Sequence, residues 1–144
     1  MEYRRYPQGL LLRLDRGEEL LESLSLACRE AGVALASVSG IGAAGDVTLG
    51  VFDTREQQYH SRRYQGELEI AALCGSVTRK DGEVYLHLHG TFANPERGLV
   101  AAGHLNRAVI SATAEVFLTL WDGEADRRFS PEVGLNLLEF PGEH

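Results

Sequence analysis

The sequence is poor in the residues that would mark a secreted scaffold, a membrane protein or a nucleic-acid binder. It has two cysteines, Cys28 and Cys74, far apart and without a C-x-x-C spacing. They read as buried, reduced thiols, and nothing argues for a bridge between them. No apolar run approaches the length of a membrane span. The stretch Met1 to Gln8 is polar and aromatic, without the apolar core of a signal peptide, so the expectation is a cytoplasmic protein away from membranes. Basic charge is scarce: 14 Lys and Arg stand against 21 Asp and Glu, a formal net charge of −7. DNA affinity rests on Lys and Arg displacing counterions, so this balance argues against a polyanion partner. The doublets Arg4-Arg5, Arg62-Arg63 and Arg127-Arg128 read as solvated surface charge. There is no linker, repeat or low-complexity segment. At 144 residues with 44% hydrophobic content, the expectation is one domain, residues 1–144, with a real core.

What the sequence does have is a concentration of histidine. Three of its five histidines fall in two short segments, Val84-Tyr85-Leu86-His87-Leu88-His89-Gly90 and Gly98-Leu99-Val100-Ala101-Ala102-Gly103-His104-Leu105. The first alternates strictly and contains β-branched and aromatic residues, which predicts a strand. Residues two apart on a strand share a face, so Tyr85, His87 and His89 point one way and Val84, Leu86 and Leu88 the other. If the second segment returns beside the first, His104 joins the same face, and Gly103 permits a close backbone approach there. Three imidazoles with an open position form a donor set that catalytic zinc uses. The competing reading is half-buried strand histidines bonded to backbone. His60 lies in a polar stretch and is expected to take no part.

Along the chain, Leu10 to Leu14 predicts a short strand. Glu18 to Ala31 predicts a helix, with Leu20, Leu21, Leu24, Ala27, Cys28 and Ala31 on one face and Gly32 as a C-terminal cap. Val33 to Ser39 predicts a strand. In Ser39 to Gly45, Gly40, Gly42 and Gly45 match G-x-G-x-x-G, but a dinucleotide site needs a helix next. Asp46 to Asp53 alternates like a strand instead, so the glycines are expected to serve a turn, a bulge or a subunit contact. Asp46 to Asp53 is expected to pair with Tyr59 to Tyr64. Gly66 to Thr78 is a further strand region with a bulge at Gly75, and Asp81-Gly82 makes a hairpin turn. Gly90 to Gly98 is expected to be a loop, Ala108 to Trp121 a strand buried on both faces, Glu124 to Arg128 a polar loop, and Leu135 to Phe140 a last strand. Many strands, short connections and one helix predict an α+β domain with a mostly antiparallel sheet.

With those residues in view, the chain resembles the plants-and-prokaryotes-conserved (PPC) domain family. The resemblance is carried by Leu12 to Leu20, Ser39 to Ala43, Glu69 to Gly75, His87-Leu88-His89, Gly103-His104-Leu105 and Ala114-Glu115-Val116. It runs nearly end to end and is specific through the order and spacing of these markers together. It implies a compact α+β fold on an antiparallel sheet, assembled as a homotrimer, and a fold similar to acetolactate decarboxylase. That enzyme's zinc is held by an H-x-H…H pattern, which falls here on His87, His89 and His104. Bacterial members carry the name of DNA-binding proteins because the plant domain is joined to AT-hook segments. No AT-hook exists in this sequence, and the family's Gly-Gly-His reads Ala102-Gly103-His104. The likeness to the decarboxylase carries neither its substrate nor its activity.

Three readings follow. The first is a metal-binding domain, zinc or another divalent transition metal on His87, His89 and His104, with Glu69 and Glu115 as candidate catalytic or supporting carboxylates. A small molecule or anion would complete the metal's shell, and lyase or hydrolase chemistry is conceivable without either being selected. The second is a non-enzymatic regulatory or DNA-associated module, which the charge disfavours. The third is a trimeric platform for other proteins.

Overall fold

The computed structural model describes residues 1–140, so the last four residues of the expected 1–144 domain lie outside the described residues. Eight strands and one helix follow in the order β1 (Glu2–Tyr6), β2 (Gly9–Asp15), α1 (Leu20–Glu30), β3 (Ala36–Asp53), β4 (Gln58–Lys80), β5 (Glu83–Asn94), β6 (Leu99–Leu120), β7 (Asp126–Ser130) and β8 (Leu135–Glu139). Six of the strands form one antiparallel sheet in the order β1-β2-β6-β3-β4-β5. β5 also pairs with β6, so β6, β3, β4 and β5 close on themselves as a small barrel. β7 and β8 make a separate hairpin.

The inward face follows from alternation. Leu10, Leu12 and Leu14 of β2, Val47 and Leu49 of β3, Leu68, Ile70 and Leu73 of β4, and Leu105, Ala108 and Ile110 of β6 are all buried. Leu88 and Phe92 of β5 join them, and each such side chain contributes roughly 1.5–3 kcal/mol on leaving water. The helix adds Leu20, Leu24, Ala27 and Cys28 to the same core. Glu19 caps it, accepting from Glu22 N at 2.8 Å, and the Glu19 side chain also accepts from Ala108 N on β6 at 2.9 Å. One carboxylate therefore both starts the helix and fixes it to the sheet. Glu18, beside it, accepts from the Met1 amino group and from Asp15 N.

Several expectations are corrected by the register. The glycine-rich segment does not break the chain into two strands. β3 runs through it, bent by shifts between Gly40 and Gly42 and between Ala44 and Asp46, so bulges rather than a turn absorb the glycines. Gly75 marks no bulge: Val38 and Leu88 face it in unbroken register, and a Cβ there would lie 2.0 Å from the His87 carbonyl oxygen. Its purpose is close strand approach, and the β4–β5 irregularity falls between Ile70 and Ala72. β5 continues to Asn94, leaving only residues 95–98 as turn. The Ala108–Leu120 stretch buries one face only. Ala108, Ile110, Ala114, Val116 and Leu118 point in, whereas Glu115, Phe117 and Thr119 are exposed. Cys74 is exposed rather than buried, His60 sits in β4 rather than a loop, and residues 126–130 are strand. The Asp81-Gly82 hairpin and the pairing of Asp46–Asp53 with Gln58–Gln65 agree with expectation.

Candidate metal centre

Both histidine segments are strands, and they are neighbours. β5 and β6 pair so that His89 stands directly opposite His104. Leu86 and Leu88 turn into the core, which leaves His87 and His89 together on the barrel's outer face. On the other edge of β6, His104 faces Gly50 of β3. His104 thus lies where the barrel closes, between two strands. The glycines explain the tightness of this corner. A Cβ on Gly103 would approach the Gly50 carbonyl oxygen to 2.8 Å. A Cβ on Gly50 would overlap the Tyr59 hydroxyl, because that ring crosses β3 there to donate to Asn106 Oδ1 at 2.7 Å. Tyr59 consequently packs edge-on to His104 at 6.1 Å between ring centres.

The three imidazoles converge. Their ring centres are 5.2, 5.2 and 5.6 Å apart, and one nitrogen from each lies within 4.8 Å of the others. Nε2 of His87 and Nε2 of His89 are 3.3 Å apart. Tetrahedral ligands about 2.0–2.1 Å from a zinc ion stand about 3.3–3.4 Å from one another, so this pair already has the spacing of one edge of such a site. Burial lowers the pKa of His87 and His104 from the usual imidazole value. The neighbouring charges of His104, Arg127 and His89 add to the effect at His87, and that of His89 adds at His104. Both shifts favour the neutral ring, the form that ligates a metal. The donor set, its spacing and its protonation fit a divalent transition metal.

The two expected carboxylates are elsewhere in the chain. Glu69 faces Ala43 and Ala93, in a depression that includes Glu67 and Glu96. The residue opposite His89 on β4 is Cys74. Glu115 is exposed on β6, between Arg13 and Ile41, roughly 36 Å of extended strand from His104. Neither lines the histidine cleft. His60, one residue from Tyr59, falls on the opposite face of β4 by alternation and takes no part.

The residue that sequence reasoning missed is Arg127. It was expected to be solvated like Arg128, yet only 8% of it is exposed. The β7–β8 hairpin lies over the outer face of β4 and β5, and Arg127 is its peg. Nε donates to Thr78 Oγ1 at 2.9 Å, Nη1 to the Asn136 carbonyl at 3.1 Å and Nη2 to Ser76 Oγ at 3.4 Å. The guanidinium lies 4.8 Å from the centre of the Tyr85 ring. Ser76 is the cross-strand partner of His87, and Tyr85 precedes it by two residues, so Arg127 sits beside the histidines. The available signal was Phe129 to Leu137, a turn between two apolar ends that can form a hairpin. Hairpin and barrel together enclose a cleft of about 690 Å³ lined by the three histidines, Tyr59, Tyr85 and Arg127 among others.

A sequence model of the Plants and Prokaryotes Conserved (PCC) domain matches residues 1–122. No curated protein matches the chain in sequence. Among solved structures, a candidate DNA-binding protein from Bacteroides thetaiotaomicron is 28% identical, with a TM-score of 0.92 and 96% of each chain covered. A metal-containing protein from Archaeoglobus fulgidus is 31% identical, with a TM-score of 0.86 and coverage of 96% of this chain and 97% of that one. Acetolactate decarboxylase from Bacillus subtilis shares the fold alone, at 13% identity and a TM-score of 0.55 over 91% of this chain and 60% of that one.

Proposed function

This chain belongs to the Plants and Prokaryotes Conserved domain family, and from that premise we propose that it is a metal-binding protein whose ion is held by His87, His89 and His104. The observation that carries this is the convergence of three imidazole nitrogens within 4.8 Å on one outer face. Imidazole donors suit zinc and also nickel, copper or iron, with zinc the leading occupant. The description of the Archaeoglobus relative as metal-containing supports the reading. A zinc ion with an open position would supply Lewis acidity or an activated water. The chain's own residues orient the ligands: Gly103 and Gly50 bring β3 and β6 together, and Tyr59, tied to Asn106, flanks His104. No substrate is selected by this arrangement.

The test is metal analysis of protein purified without a histidine tag. Wild type is expected to hold about one ion per chain, and His104→Ala to lose most of it while its far-UV spectrum is unchanged. Equal metal in both would refute the assignment.

The chain is also proposed to assemble as a homotrimer, as the family resemblance implies. Tyr6, Ile41 and Phe117, all on the sheet's outward face, are 53%, 58% and 50% exposed, an apolar surface suited to self-association. A second functional reading, DNA association, is motivated by the description of the Bacteroides relative. The net charge of −7 weighs against it.

A further inference from the structure

We infer that the cleft over the histidines is a receptor for a small organic carboxylate, its anionic head between the metal and Arg127 and its apolar body along the hairpin. The inference rests on the metal reading above and adds the class of the ligand.

Arg127 carries the argument. A guanidinium has five N–H donors and stays charged in proteins. Three are used here, by a threonine hydroxyl, a serine hydroxyl and a backbone carbonyl, all neutral acceptors. Two N–H groups remain, and among the described residues no carboxylate lies within ion-pair distance of this side chain. A cation this buried is costly without a counter-charge. Burial pulls its pKa down, and the group that acts in the other direction is Tyr85 rather than a carboxylate.

The rest of the cleft repeats the imbalance. Among the described residues, no acidic side chain lines this cleft. A divalent ion on three imidazoles, beside Arg127, therefore places three positive charges in one cleft with no anion among the described residues. The occupant must bring the negative charge. Arg127, Ser76 and His87 are neighbours in the cleft, and Phe52, Leu135 and Leu138 add apolar wall to it. One anionic head with an apolar body matches that lining better than a compact inorganic anion. A planar carboxylate also matches the guanidinium fork.

Isothermal titration with hexanoate, acetate and inorganic phosphate, on zinc-loaded and on chelator-stripped protein, tests the inference. Hexanoate should bind the zinc-loaded wild type at least about tenfold more tightly than acetate or phosphate. Arg127→Gln should weaken hexanoate by about tenfold or more with zinc content unchanged. Because Arg127 also pegs the hairpin, Leu138→Glu is the companion variant. Leu138 stands opposite Arg127 in the β7–β8 register and is 43% exposed, so a carboxylate there can pair with Arg127 without loss of core. It should weaken hexanoate to a similar degree and also leave zinc in place. Absence of hexanoate binding to zinc-loaded wild type, or unchanged affinity in Leu138→Glu, would overturn the inference. Phosphate binding more tightly than hexanoate would overturn the carboxylate class. If instead no zinc is retained yet Arg127-dependent hexanoate binding persists, the metal reading fails and the anion receptor stands.

Discussion

Gly103→Ala is a one-carbon test of how the histidine corner is held. The added Cβ would stand 2.8 Å from the Gly50 carbonyl oxygen. An unstrained carbon–oxygen contact needs about half an ångström more, and the obstacle is backbone in the middle of a sheet, not the end of a flexible side chain. Relief requires β3 and β6 to separate locally. Overpacking of this kind costs typically about 1–3 kcal/mol, which for a domain of this size is roughly a 3–12 °C fall in Tm. The same displacement moves His104, the next residue, by a few tenths of an ångström relative to His89 across the ladder. Metal sites need their donors held within about half an ångström, so zinc affinity should fall by about tenfold. The control is Gly45→Ala, where a Cβ meets only the Ser111 Cβ at 3.4 Å, an ordinary contact. That change should leave both Tm and zinc affinity near wild type. Thermal melts and competition with a chelating dye read the two quantities. If Gly103→Ala matches wild type in both, the close approach of β3 and β6 is not what the glycine provides.

The remaining expectations concern protons, charge and assembly. His87 and His104 have folded pKa values below the unfolded imidazole value of about 6.5. Their contribution to metal-free stability is therefore full above that value and is lost as the pH falls through the lowered folded values. Metal content should fall as the pH is lowered and protons compete for His87 and His104; an ion retained unchanged into strong acid would contradict ligation by imidazole. Duplex DNA should not be retained at about 150 mM salt, and a gel shift at sub-micromolar protein that weakens steeply with salt would reverse that expectation. Light scattering should give three times the 15.8 kDa chain mass; a monomer at micromolar concentration would rule the trimer out.

Most of the fold was legible because its signals are local. Strict alternation in Val84–His89 placed His87 and His89 on one face, Asp81-Gly82 made the turn, and helical spacing from Leu20 to Cys28 made the helix. The return of His104 was legible because its partner strand is close in sequence. What escaped depends on packing between distant segments. The apolar run around Ala108–Leu120 read as buried on both faces, yet the sheet closes so that Phe117 and Glu115 face outward. Gly75 resembled a bulge because spacing cannot distinguish an inserted residue from a close crossing of strands. Arg127 looked like Arg128 because an arginine doublet carries no record of which member a hairpin folds inward. Glu69 and Glu115 were singled out by residue type, while the register sends them to other parts of the sheet.

The barrel is joined unevenly. β3 and β4 share sixteen register pairs, β3 and β6 thirteen and β4 and β5 eleven, whereas β5 and β6 share six, ending at His89 and His104. Transient opening should be cheapest at that short ladder, so amides of residues 99–104 should exchange with solvent sooner than those of the β3–β4 ladder. An ion bridging β5 and β6 would act there as a fastener. Its arrival would slow exchange along one seam and leave the other three as they were, making the breathing of the barrel a gauge of metal occupancy.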